Sequence, residues 1–230
     1  MVASTHNDEP KKDLHQLFPS ARHKAWYDGH SWASGLFQAS NGKNQESSSE
    51  AVNAYYACYL WNRMNGSKEK MNYARLLLAT EIRSAKKYWH TGPSNTLYPP
   101  IFANNYMIGN MGGLDASSTS ALGSDITYVH LINIFPLTDI TNHLFSKEFV
   151  KGEYAFLEPY ISETEESWLG YLTALHGIIN PEMAWENAQH LYNEKMDSAL
   201  SKSQVLYTIA SKQELKTKNV AGSEFEYDMI

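Results

Sequence analysis

The chain has 230 residues, a formal net charge of −6 and one cysteine, Cys58, so it is long enough to bury a substantial core but holds no internal disulfide or multi-cysteine metal site. No basic block exceeds two residues, which argues against nucleic acid or an anionic membrane surface as partner. No stretch approaches the ~20 consecutive apolar residues of a membrane-spanning helix, and the polar N-terminus up to Gln16 shows no secretory signal.

Residues 1–20 read as an extended polar lead-in. Asp28–Gly35, with the sequence Asp-Gly-His-Ser-Trp-Ala-Ser-Gly, then sets Asp28 and His30 beside the flat ring of Trp32. A loop of small residues with Leu36 and Phe37 follows. From Glu46 to Trp61 the spacing of Val52, Tyr55, Tyr56, Tyr59 and Leu60 predicts a helix that ends at Asn65-Gly66-Ser67. If that helix starts at or before Glu46, Glu46 and Glu50 share a face with Cβ atoms roughly 5–6 Å apart. Met71, Ala74, Leu78, Ile82, Ala85 and Trp89 form the stripe of a second, longer helix, antiparallel to the first.

Residues 92–113 are rich in proline and glycine and predict an irregular excursion carrying Tyr98, Phe102 and Tyr106. Tyr128–Phe135 is an apolar run stopped by Pro136 that fits a strand or a buried helix equally. Helices are predicted over Thr138–Phe145, Lys147–Leu157 and Glu166–Ile179, and from Pro181 to about Tyr192, with Pro181 well placed as a first helical residue. Residues 201–210 are ambiguous, and the chain from Gln213 reads as a polar tail. Recurrent helix pairs without an alternating strand pattern point to an all-α fold, helical hairpins around a cleft.

The chemistry-bearing residues have two readings. Two carboxylates, an imidazole and a ring platform are what a sugar-cleaving cleft needs. Alternatively, Gln45–Ala51 is a capping cluster, with Ser48 or Ser49 as N-cap and acidic residues favoured by the helix dipole. Asp28 and His30 then stabilise a loop, and Trp32 packs in the core. Asn44 and Gln45 fit substrate binding or a structural role; Tyr55, His176 and His190 fit structural ones. No spacing makes a metal motif, and no cofactor is implied.

Arg22–Gly35, Asn44–Tyr56 and Leu76–Trp89 together resemble glycoside hydrolase family 81, the endo-β-1,3-glucanases of fungi, plants and some bacteria. The resemblance is carried by Gly-His-Ser-Trp-Ala-Ser-Gly-Leu at Gly29–Leu36, followed by Asn-Gln-Glu-Ser-Ser-Ser-Glu at Asn44–Glu50. It implies an (α/α)6 barrel, residues 21–212 being its C-terminal part and residues 213–230 a tail. It also implies inverting hydrolysis of β-1,3-glucan, which uses an acid and a base roughly 6.5–9.5 Å apart. Glu46 and Glu50 fall on the two glutamates of the family's Glu-Ser-Ser-Ser-Glu run; which is the base stays open. Asp28, His30 and Trp32 match positions expected to line sugar subsites. The family's acid belongs to an upstream run of the form Asn-Asp-His-His-Phe-His-Tyr-Gly, which these 230 residues do not contain, so the chain is expected to be the C-terminal portion of such an enzyme. An extracellular or cell-wall setting is expected for the family. A β-glucan-binding protein without catalysis is the alternative; oligomeric state is not indicated.

Overall fold

The computed structural model describes residues 20–33 and 42–218, with side chains up to residue 212. The lead-in over residues 1–19, the loop with Gly35, Leu36 and Phe37, and the tail from residue 219 lie outside the described residues.

Helix α1 (Ser48–Met64) and helix α2 (Lys68–Ser84) form the expected antiparallel pair. The reversal between them runs through Gly66, whose φ of +69° lies in the left-handed region open to glycine. Val52 and Tyr55 of α1 join Leu77, Leu78 and Ile82 of α2 in the main core, while Tyr59 and Ala74 pack together at the hairpin's outer end. Cys58 lies half-buried beside that second contact. Two details depart from the sequence reading. Helix α1 starts at Ser48, so Glu46 stands outside it and does not share a helix face with Glu50. Helix α2 does not run on as α-helix to Trp89; Ala85–Trp89 forms a π turn, closed by His90 N donating to Ala85 O at 3.0 Å.

The excursion after residue 92 is irregular as expected, yet it carries a short helix α3 (Pro100–Ala103) and two short strands. Strand β1 (Lys24–Ala25) pairs with β2 (His30–Ser31) within the first motif. Strand β3 (Asn44–Gln45) pairs with β4 (Asn110–Gly112), which pairs in turn with β5 (Ala116–Ser117), all antiparallel. Asn44 faces Gly112 and Gln45 faces Met111.

The ambiguous Tyr128–Phe135 run begins as helix α4 (Ile126–Leu131), capped by Asp125, whose carboxylate accepts from Thr127 N at 2.8 Å. The Phe135–Pro136 bond is cis. Helix α5 (Thr141–Leu144) is shorter than expected, and α6 (Lys147–Leu157) has the expected bounds, capped by Ser146. Helix α7 (Leu169–Ile179) is buried from Gly170 to Gly177 on every side, as its apolar sequence requires. Asn180 caps α8 (Pro181–Gln189), with Pro181 at its first position. The ambiguous stretch is helical too: α9 (Lys202–Lys218) packs on α7 and α8 and extends into the predicted tail. The core runs without a break from Val52 and Trp89 through Ile108, Leu131 and Tyr171 to Ile209. Among the described residues the architecture is all-α, with small strands in the motif segments and the hairpin that meets them.

Candidate active site

Three serines fix the second motif. Ser47 Oγ donates to Ile132 O at 2.8 Å, Ser49 Oγ donates to Phe135 O, and Ser48 donates through both N and Oγ to Asn133 Oδ1 at 3.3 Å. Ser47 occupies the N-cap position but makes no side-chain cap bond. The serines therefore act as ties to the 132–136 segment rather than as caps. Small hydroxyl side chains let the start of α1 approach that segment closely while satisfying its carbonyls.

This anchoring presents Glu46 and Glu50 differently. Glu46, half-buried, follows β3, and both of its carboxylate oxygens are held: Asn110 Nδ2 donates to Oε1 at 2.8 Å and the Ala121 backbone N–H donates to Oε2 at 2.7 Å. Glu50 lies in the first turn of α1 and is exposed, with no hydrogen-bond partner for its carboxylate among the described residues.

The first motif is held by a buried polar cluster. Lys24 and Glu81, both with fully buried side chains, form an ion pair at 2.8 Å. Lys24 Nζ also donates to Gly29 O at 2.7 Å, and Glu81 accepts from Ser31 N at 2.8 Å and Ser31 Oγ at 2.9 Å. Tyr55 OH continues the chain to Ser31 Oγ at 2.6 Å and to His23 Nε2 at 2.8 Å. Burial pulls the Lys24 ammonium below the ordinary lysine range despite the attraction of Glu81. Burial likewise pushes the Tyr55 phenol up and lowers the His23 imidazole.

Within that loop Asp28 and Trp32 are half-buried, whereas His30 is only 3% exposed. The His30 ring stands edge-on to Trp32, with centroids 4.7 Å apart, and to Trp89 at 5.2 Å. In this arrangement the imidazole seats two indoles rather than facing solvent. Trp89, fully buried at the end of the π turn, donates its indole N–H to the Glu46 carbonyl at 3.0 Å. Ala33 N also donates to Asn44 O at 2.8 Å. The two motifs thus meet: His30, Trp32, Trp89 and Glu46 form one connected group, with Asp28 on the same short loop and Glu50 one turn into α1.

Asn110, the Ala121 amide, Lys24 and Glu81 were not singled out by sequence reasoning. A shallow depression of about 420 Å³ lies against Ala79, Ile82, Arg83, Lys86 and Lys87, and no motif residue lines it. Among the described residues no group of three or more His, Cys, Asp or Glu is placed to hold a metal, and no helix is long and apolar enough to cross a membrane.

Comparison with known proteins bears on the family and the fold. The family model described as the glycosyl hydrolase family 81 C-terminal domain matches residues 1–206. Glucan endo-1,3-beta-D-glucosidase 2 of Saccharomyces cerevisiae is 29% identical over 78% of this chain and 22% of its own length. The primary septum glucan endo-1,3-beta-D-glucosidase of Schizosaccharomyces pombe is 30% identical over 80% of this chain and 18% of its own. A solved glycoside hydrolase family 81 protein from Clostridium thermocellum, CtLam81A in a mutant form, superposes with a TM-score of 0.70 at 24% identity, covering 88% of this chain and 28% of that one; it shares the fold. The chain thus spans about a fifth of the length of these curated relatives. With the matched model covering most of its residues, the chain belongs to glycosyl hydrolase family 81 as a C-terminal domain portion.

Proposed function

We propose that this chain carries part of a catalytic centre that hydrolyses internal β-1,3-glucosidic bonds of β-1,3-glucans with inversion, Glu46 and Glu50 standing in that centre. The observation that supports this reading best is the fixed carboxylate of Glu46, joined through Trp89 to the loop of Asp28, His30 and Trp32. Each carboxylate oxygen has two lone pairs, so two N–H donors leave room for a water to donate a third bond. In this reading Glu46 takes a proton from that water while its oxygen attacks the anomeric carbon. The glycosidic C–O bond breaks and the leaving oxygen takes a proton from an acid outside these residues. Glu50, exposed and unpaired among the described residues, orients the water or a sugar hydroxyl. Trp32 and Asp28 contact the sugar, with His30 behind the indole. The primary septum in the name of the Schizosaccharomyces pombe relative supports an extracellular or cell-wall location.

The test is reducing-sugar release from laminarin, with titration by a β-1,3-gluco-oligosaccharide. It compares the protein with a form extended N-terminally to carry the Asn-Asp-His-His-Phe-His-Tyr-Gly run. The extended form is expected to turn over, and Glu46→Gln to abolish turnover while leaving oligosaccharide binding within a few-fold. Binding without turnover in the extended form favours a glucan-binding protein instead. Loss of both binding and turnover refutes the reading.

A further inference from the structure

The shallow depression on α2 is bounded by three cations without a counter-charge. Arg83 lies in the last turn of α2, Lys86 and Lys87 lie in the π turn that follows, and all three are exposed. None of them forms an ion pair among the described residues, and no carboxylate lines the depression. Between them the floor is Ala79 and the buried Ile82, so apolar surface lies inside a cationic rim. The end of a helix draws cations by itself. That accounts for the charges, but not for an apolar floor left open between them.

The chain carries the complementary pattern at residues 224–230, Glu-Phe-Glu-Tyr-Asp-Met-Ile. Acidic and apolar residues alternate there. An extended backbone would set Glu224, Glu226 and Asp228 on one side and Phe225, Tyr227 and Met229 on the other. With the apolar side laid on the floor, the long Arg and Lys stems can rise past it to meet the carboxylates. Helix α9, which precedes this segment, runs nearby. Burial lowers the His143 pKa, and the charges of Lys86 and of Lys212 on α9 lower it further, so both lysines stand near that ring. From Lys212 to Lys218 the helix advances ~9 Å. The six residues from there to Glu224 span ~20 Å when extended, more than the helix carries them away.

We propose that residues 223–230 dock on this depression as an intrachain strap, with apolar side chains on Ala79 and Ile82 and carboxylates against Arg83, Lys86 and Lys87. A short tether holds such a segment at an effective concentration in the millimolar range, so contacts too weak to retain a free peptide suffice. The strap lies over the π turn whose last residue, Trp89, donates to the Glu46 carbonyl at 3.0 Å. It thereby braces the joint between the two motifs, and it does so whether or not the chain hydrolyses glucan.

The test is NMR on the whole 230-residue chain at about 0.1 M salt. Ring protons of Phe225 or Tyr227 are expected to show nuclear Overhauser contacts to the Ala79 methyl group. The amides of residues 224–228 should exchange about tenfold more slowly than in a free peptide of the same sequence. Raising the salt to about 1 M, where the Debye length falls to ~3 Å, should weaken both signals. Phe225→Ala with Tyr227→Ala should remove them, and these changes leave the helical core untouched. Lys86→Glu with Lys87→Glu should also remove them, and adding Glu224→Lys, Glu226→Lys and Asp228→Lys in that background should restore them. Amides that exchange at the free-peptide rate, with no contact to Ala79, overturn the proposal. Contacts that grow with protein concentration mean that the segment of a second copy fills the depression, and they overturn the intrachain assignment.

Discussion

Replacing Glu81 by glutamine tests whether the first motif is held by the buried ion pair. The isostere keeps the space filled and retains an oxygen for Ser31 N, but it removes the charge that faces Lys24 at 2.8 Å. The ammonium is then left with one carbonyl, Gly29 O, in a site where its side chain has no solvent contact. Breaking one side of such a pair costs about 3–5 kcal/mol, because the remaining charge is buried without compensation. Against a stability of roughly 5–15 kcal/mol for a domain, that is a large fraction. Lys24→Met alone strands Glu81 with only its two bonds from Ser31, and the effect has the same sign. The double variant, Lys24→Met with Glu81→Gln, buries no charge and should recover ~2 kcal/mol or more of the summed losses. The pair itself need not be a net gain, since burial already pulls Lys24 below its ordinary range. Equilibrium urea unfolding, with the slope unchanged between variants, reads all three values. Glu81→Gln within 1 kcal/mol of the parent (about the net worth of a single ordinary hydrogen bond), or strict additivity in the double variant, refutes the reasoning.

Further outcomes follow from other buried groups. His90 is stacked against Phe145 and Phe149, with its Nε2 unpaired, and burial holds its pKa down to about 3. The folded chain keeps it neutral while the unfolded chain protonates it near 6.5. Its contribution is therefore present above pH 6.5 and is lost as pH falls toward 3, by up to about 5 kcal/mol. His90→Phe should show a smaller loss over that window in urea melts taken from pH 7 to 4, and an unchanged slope counts against this account. Glu153 donates nothing and accepts little: Oε1 meets His130 Nδ1 at 2.8 Å, Oε2 has no partner, and burial raises its pKa. A raised carboxyl contributes stability below its unfolded value that is lost as pH rises, so the advantage of Glu153→Gln over the parent should grow above pH 4.5. A pH-independent difference sinks that argument. Gly109→Ala forces a Cβ against the Thr119 carbonyl, and should lower stability by about 1–3 kcal/mol and speed exchange of the Ala121 amide. Exchange unchanged at Ala121 would mean that the hairpin does not transmit the strain.

The helix pair was legible because Val52, Tyr55 and Tyr59, and Ala74, Leu78 and Ile82, repeat at helical spacing over long runs. The all-α character followed from the same signal. Strands β3 to β5 left no such trace, since two or three residues are too few to show an alternating pattern. The capping alternative for the serine run rests on local chemistry, yet its partners lie 83 to 86 residues downstream. Lys24 and Glu81, 57 positions apart, look in the sequence like any solvated charges; only tertiary packing makes them a pair. Glu46 and Glu50 were legible as residue types and through the resemblance. What holds Glu46 was not, because Asn110 sits in a stretch whose glycines and prolines signalled only irregularity. The one-face geometry failed because Ser47 and Ser48 bond across to the 132–133 backbone and side chain, and the helix begins only at Ser48.

Trp89 carries a mechanical consequence. One indole is both the wall behind His30 and the donor to the carbonyl of Glu46, so the loop of the first motif and the strand end of the second cannot shift independently. The His30 imidazole touches both indoles, so Trp32 is joined to the backbone of Glu46 through two ring contacts and one hydrogen bond.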